Sequence, residues 1–466
     1  MTKNIKFKQI IGVILSLALV LGCLSGCGNT TTEQTESDYY EFIATESGND
    51  SSSNNEKTTT PSGTTDSKTK VSAPSNLKGT KVKMLMWKAP TEAEKKVFQD
   101  FKAQTGIEIQ YKQATDYGAA YTELISTTLA ANEGYDLAAF SYSDFPGRPA
   151  EIMQPLNNIK GLDLKETIWN KKMMDAFAIN GKYYGVAIDN NNYSEYVCMY
   201  YNKTMFENRG VKTPRELYKS GNWNWDTFLS TAQAMTFTDN GTKVYGYANT
   251  SFDYYYIWPL VAGTDFITYE SSKFTTNYSG EALINAAKFY SDLSTKYKVQ
   301  EDPSAQGTTA FKTGRAAMLS SITYCMYKDS NTQFNTMSDK IDAVPMPSPK
   351  GKSTVVPVAA QLWGILKGAK NSEGAAVFLR YFLDPANYNR SSNFINKDLE
   401  GTFNELSKLK PSYTYSKGVI NYASLAKYGS ICDKLSLTTS DQVEAKIKSY
   451  AGIFNNSVKI ANDAIS

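Results

Sequence analysis

Histidine is absent from this 466-residue chain, and that absence closes off much chemistry. Ser-His-Asp triads, His-ligated zinc and imidazole acid–base catalysis all need a ring the chain lacks. Cysteine is scarce, with five residues. Two of them, Cys23 and Cys27, fall in the N-terminal segment, leaving Cys198, Cys325 and Cys432. An odd number with no C-x-x-C spacing offers no metal cage and fits small buried hydrophobes, with a disulfide left open. Charge of one sign is missing too. The formal net charge of +3 traces to Lys3, Lys6 and Lys8 in a leader without acids, so the remainder is neutral. No basic stripe suits nucleic acid, and no field suits a strongly charged ligand. The G-x-x-x-x-G-K-[ST] phosphate loop does not occur, so an ATPase would have to be a separate protein. Nothing in the composition calls for a metal or a cofactor.

Hydrophobic residues make up 41% of the chain and aromatics 13%, enough for sizeable cores in two or three domains or one two-lobed body. Tyrosine is abundant at 32 residues, favouring surfaces apolar in body and polar at the tip. The leader pairs its lysines with an apolar run from Ile10 to Leu21. As a helix that run reaches about 18 Å against a hydrocarbon core of roughly 30 Å, which makes it a secretion signal rather than a span. Leu24-Ser25-Gly26-Cys27 follows and resembles the lipobox of bacterial lipoproteins. The resemblance implies cleavage before Cys27 and diacylation of its thiol, and two chains anchor stably where one does not. An ordinary signal with an incidental cysteine is the plainer alternative, and Cys23 is a second candidate. Residues 28–79 carry 20 Ser or Thr and little that could form a core, so they read as a disordered tether. The expected setting is the extracellular face of a Gram-positive cell membrane, reached through the lipid anchor.

The folded part begins near residue 80. Lys81 to Trp87 alternates into an apolar strand, and Thr91 with Glu94 predicts a capping box opening a helix with Ala93, Val97 and Phe101 on one face. A strand at 107–111, a helix at about 117–132 and a strand at 135–140 follow. That β-α-β-α-β order predicts an α/β fold with a parallel sheet, whose ligands sit beyond the carboxyl ends of the strands. Trp87 and the stretch Phe140–Phe145 occupy those ends. Further on come a strand at 197–201 and helices at 225–235, 282–290 and 373–383. Trp223 and Trp225 are expected to staple a helix start onto a sheet.

Several segments, in order, resemble the extracellular solute-binding proteins (family 1) of carbohydrate ABC transporters, which include the maltose-binding proteins. These are Phe98-x-x-Phe101-x-x-x-Thr105-Gly106-Ile107, Tyr135-Asp136-Leu137, Tyr184-Gly185-Val186 with Tyr200-Tyr201-Asn202-Lys203-x-x-Phe206, Asn224-Trp225-Asp226-x-Phe228, and Gly314-Arg315-Ala316-Ala317-Met318. The resemblance covers most of 80–380 and fades after 385. It implies a two-lobed clamshell with three interlobe crossings, placed near 185–192, 316–323 and 354–362. The N-terminal lobe would then comprise 80–188 and 320–355, the C-terminal lobe 189–319 and 356–466, with Gly185 and Gly314 at the hinge. It further implies a monomer that hands a carbohydrate ligand to transmembrane permease subunits.

A pyranose needs flat rings for its C–H face and fixed partners for its hydroxyls. Ser251 to Leu260 supplies both, and resembles the maltose-binding "E-P-Y-x-x-W-P-L" segment, with Tyr255 on the stacking tyrosine and Asp253 on the carboxylate; Trp258 joins them, although these rings could equally build a core. On the facing lobe Phe140 falls on a family tryptophan, followed by Tyr142 and Asp144. Tyr324 falls on another family stacking position. Asp189 and Glu195 compete as hydroxyl acceptors, and Trp363 stands between core and ligand contact. The smaller rings at Phe140 and Tyr324, and the lack of any tryptophan after Trp363, argue against maltose itself. Two other classes remain open: a peptide, amino-acid or polyamine cargo, and a surface glycoside hydrolase using paired carboxylates.

Overall fold

A computed structural model describes residues 71–188, 195–250, 255–302, 306–387 and 393–466. Its first sheet is built as the sequence order requires. Strand β1 (Lys81–Met86) leads to helix α1 (Glu92–Thr105), then β2 (Glu108–Gln113), helix α2 (Ala119–Ala130) and β3 (Leu137–Ser141). Thr91 caps α1 in the predicted box with Glu94, and Gly106 ends it in a left-handed conformation that costs glycine nothing. β1 pairs in parallel with β2 on one side and β3 on the other. Helix α3 (Gly147–Ile152) follows β3.

The second sheet centres on β4 (Glu195–Asn202), whose residues after Glu195 are all buried. Helix α4 (Trp225–Ala234), β5 (Ala248–Asn249), helix α5 (Ile257–Val261) and helix α6 (Glu281–Thr295) come next. Then β6 (Met318–Ile322) and β7 (Ile341–Pro345) both pair antiparallel with β4, and β8 (Val355–Ala359) joins the same sheet. Trp223 and Trp225 do staple the start of α4, donating their indole N–H groups to the carbonyls of Pro345 and Pro347.

One residue separates the two sheets where the chain changes body. β8 ends at Ala359 beside Glu195, and β9 (Gln361–Ile365) pairs antiparallel with β3 in the first sheet. Helix α7 (Ser372–Phe382) then packs on α1, its Phe378 meeting the rings of Phe98 and Phe101. After it the chain rejoins the second body, where Ile395 N–H bonds Met326 and β10 (Lys410–Ser412) extends β8. The expected lobe boundaries are therefore corrected. Residues 320–345 belong with the second sheet rather than the N-terminal lobe, because β4 offers both its edges to β6 and β7. Residues 361–382 belong with the first. No change of body occurs at 316–323, which is the interior of β6, and Gly314 lies at the end of a second-body helical turn. Helix α8 (Ser416–Ala423) lies against α3 and the turn after β3, closing one side of the junction.

Candidate functional site

The carboxyl end of β3 and the edge where β4, β6 and β8 meet face each other across the Ala359–Gln361 link. Ser141 pairs with Gln361, and Tyr142 N–H donates to the Ala360 carbonyl at 3.0 Å. Ser141 then starts a one-turn 3-10 helix, Tyr142–Asp144, which projects Tyr142 toward the second lobe. Its ring lies 5.6 Å from that of Tyr256, at a 57° angle. These are rings from opposite lobes in direct contact.

On the second-lobe side, Thr323 joins two groups at the same edge. Its hydroxyl accepts from Tyr196 N–H at 3.1 Å and donates to the Glu195 carboxylate at 2.9 Å. Glu195 is thereby aimed and partly buried, and the partly exposed Tyr324 follows Thr323 in the 3-10 turn Thr323–Met326. On the first-lobe side Trp87, one residue past β1, is half-buried. Its indole leans on Trp363 at 5.3 Å and on the edges of Tyr117 and Tyr121 at 5.5 and 6.0 Å.

The candidates from the sequence thus separate. Tyr142, Glu195 and Tyr324 stand at the junction. Trp363 is buried in β9 under Trp87. Phe140 is buried on the other face of β3, where a Cβ on Gly185 would stand 2.7 Å from its ring; the alternation of the strand turns it away from the face that carries Ser141. Trp258 is 0% exposed, with Phe228, Tyr247, Phe289 and Tyr290 around it at 5.2 to 5.9 Å, all from the second lobe. Tyr255 is buried likewise between Phe266 and Tyr290. Asp189 and Asp253 lie outside the described residues, as does Cys27. Two rings were not among the predicted contacts: Trp87, signalled by its place at a strand end, and Tyr256, the middle ring of a run in which Tyr255 drew attention.

Asp144 is at the junction but occupied. One carboxylate oxygen accepts from Ser141 N–H at 2.7 Å, Ser141 Oγ at 3.1 Å and the Tyr117 hydroxyl at 2.8 Å; the other pairs with Arg148 at 3.0 Å. Burial, with Asp144 beside it, pushes the Tyr117 hydroxyl well up, so it remains a donor. Among the described residues no group of three or more Cys, Asp and Glu side chains is placed to hold a metal ion. No described helix is long and apolar enough to cross a membrane.

The junction brings together rings from both lobes and a carboxylate oriented by Thr323. No curated protein matches the chain in sequence. Among solved structures, an ABC substrate-binding protein of Listeria monocytogenes in complex with cycloalternan is 19% identical, covering 82% of this chain and 98% of its own, with a TM-score of 0.58. The galacto-N-biose-/lacto-N-biose I-binding protein of Bifidobacterium longum, with lacto-N-biose, is 15% identical at 82% and 97% coverage and a TM-score of 0.61. Maltose-bound MalE3 of T. maritima is 17% identical at 80% and 99% coverage, with a TM-score of 0.57. At such identities the likeness is one of fold, that of a two-lobed α/β binding protein. A family model for bacterial extracellular solute-binding proteins matches residues 96–414, and the chain belongs to that family.

Proposed function

We propose that this protein captures a sugar or short oligosaccharide outside the cell, held to the membrane through Cys27, and delivers it to the permease of an ABC transporter. The observation that carries the reading is the contact of Tyr142 with Tyr256 across the junction, with a Glu195 that Thr323 orients on the second-lobe edge. Rings accept the C–H face of a pyranose, and a fixed carboxylate accepts hydroxyl protons. The ligands in the solved relatives, cycloalternan, lacto-N-biose and maltose, support the same class. Closure on the guest follows if it binds the closed arrangement better than the open one.

Binding without turnover is part of the proposal. Glycosidases need two carboxyl groups about 5–10 Å apart in distinct protonation roles. Asp144 is bound to Arg148, Tyr117 and Ser141 and Glu195 accepts from Thr323, so among the described residues each of these two carboxylates at the junction is held as an acceptor. A thermal-shift screen against maltose, maltotetraose, mannotriose, lacto-N-biose and cycloalternan tests the reading. Stabilisation by at least one, with no product on long incubation, is expected. A folded protein that answers to none of them, and instead to charged peptides or polyamines, contradicts it.

A further inference from the structure

We propose that Asp144 and Arg148 form a positioning pair that sets the first-lobe rings, Tyr142 and Trp87, and that Asp144 does not itself touch the guest. The proposal rests on the sugar-binding reading for its ligand arm only. A carboxylate offers about four acceptor directions. Here Ser141 N–H, Ser141 Oγ and Tyr117 converge on one oxygen and Arg148 pairs with the other, so first-lobe groups fix the orientation of the carboxylate.

The pair reaches the two rings by separate routes. The first is short: by bonding Ser141 N–H, Asp144 closes the capping box of the turn on which Tyr142 rides. The second runs through Arg148. Its guanidinium lies 5.9 Å from the Tyr117 ring and 5.3 Å from the Tyr121 ring, within reach of both π faces. It also donates to the Ala139 carbonyl in β3 and to Thr122 in α2. Tyr121 is pinned in turn, donating to the Leu85 carbonyl and accepting from Ala139 N–H. Tyr117 and Tyr121 are the rings whose edges meet Trp87. The ion pair therefore ties β1, α2 and β3 together beneath both aromatic platforms. Its side chains are 7% and 16% exposed, so salt screens it little. Burial works against the charge on Arg148, yet Asp144 and the two phenols hold its guanidinium above the ordinary value.

The test has two arms. The ligand arm is a double-mutant cycle of Asp144→Asn with Tyr142→Ala, read with maltotetraose or the tightest binder of the panel above. Each single change is expected to weaken binding on the order of tenfold, the scale of one charge-assisted hydrogen bond. A positioning role predicts that Asp144→Asn costs less in the Tyr142→Ala background than in the wild type, since only the route to Trp87 remains to be lost. Effects that multiply instead mean direct contact and overturn the proposal. The ligand-free arm isolates Trp87 emission as wild type minus Trp87→Phe, in the parent and in Tyr117→Phe, a milder change that breaks the Asp144 link without removing the ion pair. A shifted Trp87 emission maximum is expected, and an unchanged one overturns the link from Asp144 through Tyr117 to Trp87. If no sugar binds, the sugar reading fails while this second arm still decides.

Discussion

Within three residues the chain serves two opposite ends. Trp258 lies in a second-lobe cluster with Phe228, Tyr247, Phe289 and Tyr290, every neighbour drawn from its own body. Tyr256, two residues earlier, meets Tyr142 of the other lobe. Both are fully buried here, so burial alone does not tell a core ring from a clamping ring. What separates them is whose residues they touch: one set of contacts survives any opening of the lobes, and the other exists only while the lobes are together.

That contrast can be broken by mutation, and the core should give way first. Trp258→Ala leaves a large cavity in the second lobe and is expected to cost about 3–5 kcal/mol, seen as a lower midpoint in denaturant; unchanged stability with lost ligand binding would move Trp258 to the site. Tyr142→Ala should do the reverse. Its partly exposed ring costs little stability, while affinity for an oligosaccharide falls on the order of tenfold by calorimetry, the worth of one stacked ring. Glu195→Gln is smaller again. It keeps the shape and an acceptor for Thr323 but loses the charge, so affinity should drop several-fold with the melting temperature held.

The smallest effect is chemical. Cys325 follows Tyr324 at the junction edge yet is buried, and burial pushes its thiol up to about 12. Because the neutral thiol is the favoured form, thiolate is scarce at neutral pH and grows about tenfold per pH unit below that value. Cys198 and Cys325, both pushed up by burial, and the buried Cys432 should resist a disulfide reagent in the folded protein and react at once on unfolding. Fast labelling of Cys325 in the folded state would show that the wall behind Tyr324 is open rather than packed.

The first sheet was legible because its order is local. Alternation in Lys81–Trp87, the Thr91–Glu94 box and the turn at Gly106 lie within a few residues of one another. The allocation of later strands was not, since nothing near Met318 or Ile341 signals that β4 will take both as antiparallel partners across more than a hundred residues. Nor does Gln361–Ile365 signal that one residue after β8 it joins the other sheet. At the junction, aromatic content marked both segments and Tyr142, but not which ring of 254–256 meets it, because a residue's face is fixed by register and by turns. Strand parity puts Phe140 and Ser141 on opposite faces of β3. Asp144 had a visible clue in Arg148 four residues on, but its bond to Tyr117 spans 27 positions and only folding makes it.

The central claim is a neutral guest held between Tyr142 and Tyr256 with Glu195 beside them. Isothermal titration of the wild type and Tyr142→Ala with the oligosaccharide panel, repeated at low and high salt, tests it most directly. The account predicts saturable binding to a sugar, insensitive to ionic strength and weakened by the substitution. Binding that fades steeply with salt, or a Tyr142→Ala variant as tight as wild type, would contradict it.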